Sequence, residues 1–294
     1  MARAMECGVT GELFASLRVE VLTDRVIAFG EVPLGDCAPA VVLGRFQLDR
    51  VLGRGTYGAV FAAHDRKLER AVALKVFDAE AEALHEAQVL ARVHHPNVIV
   101  LHDIGHDRGF HYLVLALVDG GTMIEHVRTG LDWGSIVDLF VQVGRGLAAV
   151  HWADIVHGDV KPGNMLVGRD GRACLADFGV AESLIPGGQP TNSGRPRGTL
   201  PYMAPECRDG GEIGPCSDQF SFCLSLWEAL FGQLGSEPSG FNPAKFPPAR
   251  GVPTQLEQVI RRGLSERPRD RFPDMPELVD ALLAIARPLC SSEP

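Results

Sequence analysis

The residue types best suited to chemistry sit together in His157-Gly158-Asp159-Val160-Lys161-Pro162-Gly163-Asn164, with Asp177-Phe178-Gly179 shortly after. An acid, Asp159, is followed along one loop by Lys161 and Asn164, and a second acid, Asp177, comes after a short hairpin. Met165-Leu166-Val167 and Ala173-Cys174-Leu175 flank Gly168-Arg169-Asp170-Gly171, which reads as two strands joined by a turn. Such a hairpin returns Asp177 to the side of Asn164. An Asp and an Asn meeting at one point suit a hard cation such as Mg²⁺, which takes oxygen ligands and keeps several waters. Asp159 and Lys161 then remain for proton and phosphate chemistry.

The elements that must position these groups are legible on either side. Arg45 to Leu52 alternates polar and apolar residues as a half-buried strand does. Gly53-Arg54-Gly55-Thr56-Tyr57-Gly58-Ala59-Val60 follows. Missing Cβ atoms let backbone N–H groups come close to phosphate oxygens. In a dinucleotide-binding fold a helix follows such glycines. Here Ala59 to His64 reads as a second strand, which favours a glycine hairpin over a triphosphate and leaves the choice to the motifs that follow. Lys75 ends the apolar strand Val72-Ala73-Leu74 and is costly to bury unless paired. Residues 79–93, dominated by Ala, Glu and Leu, predict a helix carrying acids at Glu80, Glu82 and Glu86. Ile136, Phe140, Val143, Leu147 and Val150 make one apolar face of a helix over 134–153 that delivers the chain to the loop at 157. His157 is expected to be packed in the core.

With these motifs in view, the chain resembles the protein kinase family in its bacterial, eukaryotic-like Ser/Thr form. The family pattern H-R-D-x-K-x-x-N followed by D-F-G is matched from His157 to Gly179, with Gly158 in place of the arginine. Val72-Ala73-Leu74-Lys75 is similar to the family's V-A-I-K. Gly198-Thr199-Leu200-Pro201-Tyr202-Met203-Ala204-Pro205-Glu206 is similar to G-T-x-x-Y-M-A-P-E. Together with Lys161, that run favours Ser/Thr over Tyr substrates.

The resemblance covers about residues 45–287 and implies an α+β, two-lobed kinase-like fold. A small β-rich N-lobe with one main helix would span 44–118 and a larger helical C-lobe 119–288. Residues 1–43 would be an N-terminal extension and 289–294 a tail. It further implies ATP and Mg²⁺, with Mn²⁺ as a possible substitute, and protein substrates carrying Ser or Thr. Asn164 and Asp177 would hold the metal. Gly53, Arg54, Gly55, Thr56, Tyr57 and Gly58 with Lys75 would hold the phosphates. Val60, Ala73 and Leu166 would sandwich the adenine, Leu115 would be the gatekeeper, and Ala116 to Val118 the hinge. Lys161 would offset charge on the moving phosphoryl group and Asp159 would accept the hydroxyl proton. Glu86 is the first choice as partner of Lys75, with Glu80 and Glu82 as alternatives. Asp218 would brace the catalytic loop, and Arg271 would pair with Glu206.

Gly158 bears on regulation. In most of the family the arginine at this place pairs with a phosphorylated activation loop. Phosphorylation at Ser183, Thr191, Ser193 or Thr199 is therefore not expected to be needed to organise the site. Two other readings compete with an active protein kinase. One is a pseudokinase, an ATP-binding signalling scaffold, supported by Gly158 and by the short path from Lys75 to Glu86. The other is a small-molecule phosphotransferase, against which the Gly198-to-Glu206 segment speaks.

A net charge of −9 argues against nucleic acid or an anionic membrane surface as a bulk partner. No apolar run reaches the roughly 18 residues needed to span a bilayer. The seven cysteines are odd in number, scattered, and without a C-x-x-C pair, so reduced thiols in a cytoplasm are expected.

Overall fold

Burial alternates over residues 46–49 in the way a pleated strand requires, and the described strands before residue 117 build one antiparallel sheet. Its strands are β1 (Val32–Pro33), β2 (Val42–Leu43), β3 (Phe46–Gly55), β4 (Gly58–Asp65), β5 (Arg70–Phe77), β6 (Leu101–Asp107) and β7 (Phe110–Ala116), in the order β1-β3-β4-β5-β7-β6, with β2 also paired to β3. The computed structural model describes residues 32–33, 42–43, 45–55, 58–77, 79–107, 109–184, 198–211, 213–232 and 251–286. Most of the N-terminal extension, Thr56, Tyr57, Thr191 and Ser193 lie outside the described residues.

The described residues fall into two compact units, one within Met1–Leu84 and Leu101–Leu117, the other within His85–Val100 and Val118–Pro294. The fold is α+β: the first unit is the sheet, the second is mostly helical.

In the sheet unit, Phe46, Leu48, Phe61, Ala63, Val72, Leu74, Val76 and Val114 form one apolar cluster. Because side chains alternate along a strand, the residues between them face the other way. The register sets Gly53 opposite Val60, Val60 opposite Lys75, and Lys75 opposite Leu113. It also sets Ala73 opposite Leu115. The second face therefore carries Gly53, Val60, Ala73, Lys75 and Leu115 together. At the β4–β5 turn, buried Asp65 accepts from the N–H groups of Lys67 and Leu68 at 3.1 and 3.3 Å and lies 3.1 Å from Arg45 Nε.

In the second unit the helices are α2 (Met123–Arg128), α3 (Trp133–Trp152), α4 (Pro205–Arg208), α5 (Pro215–Phe231), α6 (Thr254–Gly263) and α7 (Met275–Ala286). Helix α1 (Glu80–Leu90) carries the chain from the first unit into the second. Asp132 caps α3 by accepting from Ser135 N. The predicted face of α3 is buried, and Phe140 meets Phe222 of α5 edge to face at 5.5 Å. Helix α5 begins at Pro215, a residue well suited to a first helical position.

Short pairs complete this unit: β8 (Ile155–Val156) with β11 (Glu182–Ser183), and β9 (Met165–Val167) with β10 (Ala173–Leu175). Among the described residues no helix is long and apolar enough to cross a membrane.

Candidate active site

The loop between β8 and β9 is shaped from beneath by one buried carboxylate. Asp218 of α5 accepts from the backbone N–H of His157 at 2.8 Å and of Gly158 at 2.9 Å, with His151 Nε2 also 2.9 Å away. Two N–H groups that would be orphaned by the sharp bend are thus satisfied by an ionised acceptor, the strong form of this bond. His157 is fully buried. Its Nδ1 accepts from Asp159 N at 3.2 Å and its Nε2 donates to the Ala176 carbonyl at 3.1 Å. Phe178 packs edge to face on the same ring at 4.7 Å. The histidine is a core strut joining the loop to the segment that carries Asp177.

Gly158 has φ +76, a backbone region side chains rarely enter. Its carbonyl lies against Gly198, where an added Cβ would come within 2.5 Å of it. The two glycines let the loop and the start of the Gly198-to-Glu206 run approach closely. That approach places Thr199 on the acid: its N–H donates to Asp159 Oδ1 at 2.8 Å. Lys161 Nζ donates to Asp159 Oδ2 at 2.7 Å and to Thr199 Oγ1 at 2.6 Å. Asn164 Nδ2 donates to the same Oδ2 at 3.1 Å and to the Asp159 carbonyl at 2.9 Å. A carboxylate has about four acceptor positions. Lys161 and Asn164 fill two on Oδ2 and the Thr199 N–H fills one on Oδ1, so Oδ1 retains capacity for a hydroxyl.

The hairpin brings the second acid back as its sequence implies. Cys174 pairs with Leu166, and Ala176 N donates to the Asn164 carbonyl at 2.8 Å, so Asp177 follows directly beside Asn164. Asp177 has φ +64, an unusual conformation for a residue other than glycine. With its amide nitrogen committed to Asp159, Asn164 keeps its oxygen for another partner. An amide oxygen and a carboxylate on residues that the hairpin brings side by side are few enough to fit Mg²⁺, which takes only one or two carboxylates and fills its shell with water and phosphate. Among the described residues no cluster of three or more His, Cys, Asp or Glu could hold a metal ion.

The remaining candidates divide between the units. In the sheet unit Lys75 is buried, its ammonium 5.3 Å from the Phe77 ring, on the face that also bears Gly53, Val60, Ala73 and Leu115. Arg54 is exposed at the end of β3, and Ala116 closes β7 opposite Val72. Gly58 has a local reason to be glycine: a Cβ there would fall on the Val76 carbonyl. In the helical unit Glu86 is buried, whereas of the other acids of α1 Glu80 is exposed and Glu82 half-buried. Val118 and Leu166 are half-buried, and Thr122 bridges Leu166.

Two flanking contacts stabilise the Gly198-to-Glu206 run. Arg271, fully buried at its side chain, grips Glu206 with two bonds of 2.7 and 2.8 Å, and also donates to the carbonyls of Cys216 and Ser265. Tyr202 donates to Glu228 at 2.6 Å; burial, then this bond, push its phenol up, so it stays a donor. Sequence reasoning did not find Glu228, His85 or Arg92, whose partners lie far off in the chain and carry no motif.

A family model described as the protein kinase domain matches residues 46–280. The chain is 32% identical over 265 residues to serine/threonine-protein kinase PknA of Mycobacterium tuberculosis, an alignment covering 82% of this chain and 61% of that protein. It is 30% identical over 269 residues to PknD of the same organism, covering 81% of this chain and 40% of that protein. It is 33% identical over 249 residues to PknE of Mycobacterium bovis, covering 78% and 44%. The chain thus spans between 40% and 61% of the length of these relatives. A match that runs from β3 through the loop at Asp159 and past Arg271 makes the chain a member of the protein kinase family, of the bacterial eukaryotic-like Ser/Thr type.

Proposed function

We propose that this chain is an active serine/threonine protein kinase that transfers the γ-phosphoryl group of ATP to Ser or Thr hydroxyls of proteins. The observation that carries the reading is the environment of Asp159. Lys161, Asn164 and Thr199 hold its carboxylate in one orientation, with acceptor capacity left on Oδ1. There Asp159 orients the attacking hydroxyl and takes its proton as the new P–O bond forms and the bond to the β-phosphate oxygen breaks. Proton transfer late in the step needs only an ordinary carboxylate.

Lys161, already 2.7 Å from Asp159, offsets negative charge on the moving phosphoryl group. Positioning and charge neutralisation supply most of the acceleration in such reactions. Asn164 and Asp177 would hold Mg²⁺, which neutralises phosphate charge when bound. Lys75 and the backbone of residues 53–58 hold the phosphates, and Val60, Ala73 and Leu166 flank the adenine. Glu86 partners Lys75. The burial of Glu86, set against the exposure of Glu80, supports that choice, since a buried carboxylate requires a cation or donors.

The reading includes a reducing, cytoplasmic setting. Cys174 and Cys223 are buried thiols whose pKa values burial pushes up to about 11 and about 12, and neither reacts readily at neutral pH. The test is phosphate transfer from Mg²⁺-ATP to the chain itself and to a generic Ser/Thr substrate, beside Asp159→Asn. Transfer by the wild type, reduced at least about a hundredfold in the variant, is expected. ATP binding without transfer to either acceptor would favour a scaffold.

A further inference from the structure

The helix that carries Glu86 also presents two polar side chains that phosphoryl transfer leaves without a role. His85 Nε2 lies 2.8 Å from the Ala181 carbonyl. A carbonyl only accepts, so the ring donates. Arg92, in the turn that continues α1, gives Nη1 to Ser183 Oγ at 2.9 Å and Nη2 to the Ala153 carbonyl. The seven-residue separation of His85 and Arg92 is about two helical turns, which puts both on one side.

Two of the targets, Ala181 and Ser183, are near neighbours in the stretch directly after Asp177-Phe178-Gly179. Glu182 and Ser183 pair with Val156 and Ile155, Ala181 N donates to the Phe178 carbonyl at 3.1 Å, and Leu184 N donates to the Asp154 carbonyl at 2.8 Å. Two strands of two residues are marginal alone. Gly158 offers no guanidinium to this segment, whereas Arg92 delivers one from a different element.

We propose that His85 and Arg92 are positioning residues that clamp residues 181–183 to the C-terminal part of α1 and so hold Glu86 and Asp177 in one arrangement without a phosphate on the segment. Arg92 reaches two acceptors on two elements with two separate nitrogens of a rigid planar fork, a spacing that a lysine's single nitrogen does not reproduce. His85 uses one N–H donor, so an amide of similar reach can replace it. The functional importance of the clamp rests on the kinase reading above; its existence does not.

The test uses the full, phosphatase-treated chain with His85→Phe, His85→Gln, Arg92→Ala, Arg92→Lys and the double variant His85→Phe/Arg92→Ala. Hydrogen exchange at the Ala181 and Leu184 amides reads the clamp without catalysis. Steady-state phosphorylation of a Ser/Thr peptide reads its consequence, and urea unfolding reads global stability. Loss of either side chain is expected to speed exchange and lower kcat about fivefold, and loss of both side chains about 25-fold, with KM for the peptide nearly unchanged. His85→Gln should restore both readouts and Arg92→Lys only part of them.

Unchanged exchange in the double variant overturns the proposal. So does wild-type kcat in that variant, or a fall in activity that merely follows global stability across the set. A wild type that binds ATP and never transfers phosphate would overturn the kinase reading instead, while the exchange data still decide the clamp.

Discussion

Gly158 offers the sharpest test of how the loop is built. Its φ of +76 costs a residue with a side chain about 1–2 kcal/mol. A Cβ there would also sit 3.3 Å from the Val180 carbonyl. Replacing glycine stiffens the unfolded chain and returns about 0.4–1 kcal/mol. The net expectation for Gly158→Ala is a loss of about 1 kcal/mol, or a Tm lower by about 2–4 °C for a unit of this size. Gly198→Ala should be worse, because its Cβ would press to 2.5 Å on the Gly158 carbonyl at φ +105. Calorimetry on the two variants gives the order directly. Phosphatase-treated wild type should be fully active, and Gly158→Arg should gain a dependence on phosphate in the activation segment. A Gly158→Ala protein as stable as wild type would refute the backbone argument. A dephosphorylated wild type that is inactive until Ser183, Thr191, Ser193 or Thr199 is modified would refute the regulatory one.

Other expectations follow from the same geometry. Asp218→Asn turns an amide donor toward the N–H groups of His157 and Gly158; it should cost about 2–4 kcal/mol in urea unfolding and lower kcat more than KM. Arg271→Lys replaces a two-bond grip on Glu206 by one contact, and a double-mutant cycle with Glu206→Gln should show coupling of about 1–3 kcal/mol. Burial works to raise the Asp65 pKa, but the N–H groups of Lys67 and Leu68, with Arg45 and Arg70, outweigh it and the net shift is downward. A depressed carboxylate stabilises the fold above its unfolded value near 3.9 and loses that contribution as pH falls through the folded value. Stability should therefore drop on acidification below about pH 4, and Asp65→Asn should flatten that part of the curve.

Much of this arrangement could be read from the residues because local pattern and tertiary packing agree. The apolar face of α3 and the Gly168-to-Gly171 turn between β9 and β10 needed no long-range information. Strand β6 was not legible. His102, Asp103 and Ile104 are all exposed, so no alternation marks it, and pairing to β7 makes it a strand. Helix α2 is six residues long and is defined by the reciprocal Thr122–Glu125 cap more than by periodicity. In the site, the motif letters name Asp159, Asn164 and Asp177, but not the clamp of His85 and Arg92. Those contacts span 96 and 91 positions and are fixed only once β11 lies beside β8. Gly158 shows the limit in another way: the letter is visible, while its positive φ belongs to the fold.

The proposed mechanism requires Asp159 to serve as the base of a competent phosphotransferase. Its most direct test is the intact mass of the phosphatase-treated chain after incubation with Mg²⁺ and ATP, run beside Asp159→Asn and repeated with a generic Ser/Thr substrate. Stepwise phosphate gain on the chain or the substrate with wild type, and none with the variant, is the predicted result. Equal transfer by both proteins, or none by a wild type shown to bind ATP, would contradict it.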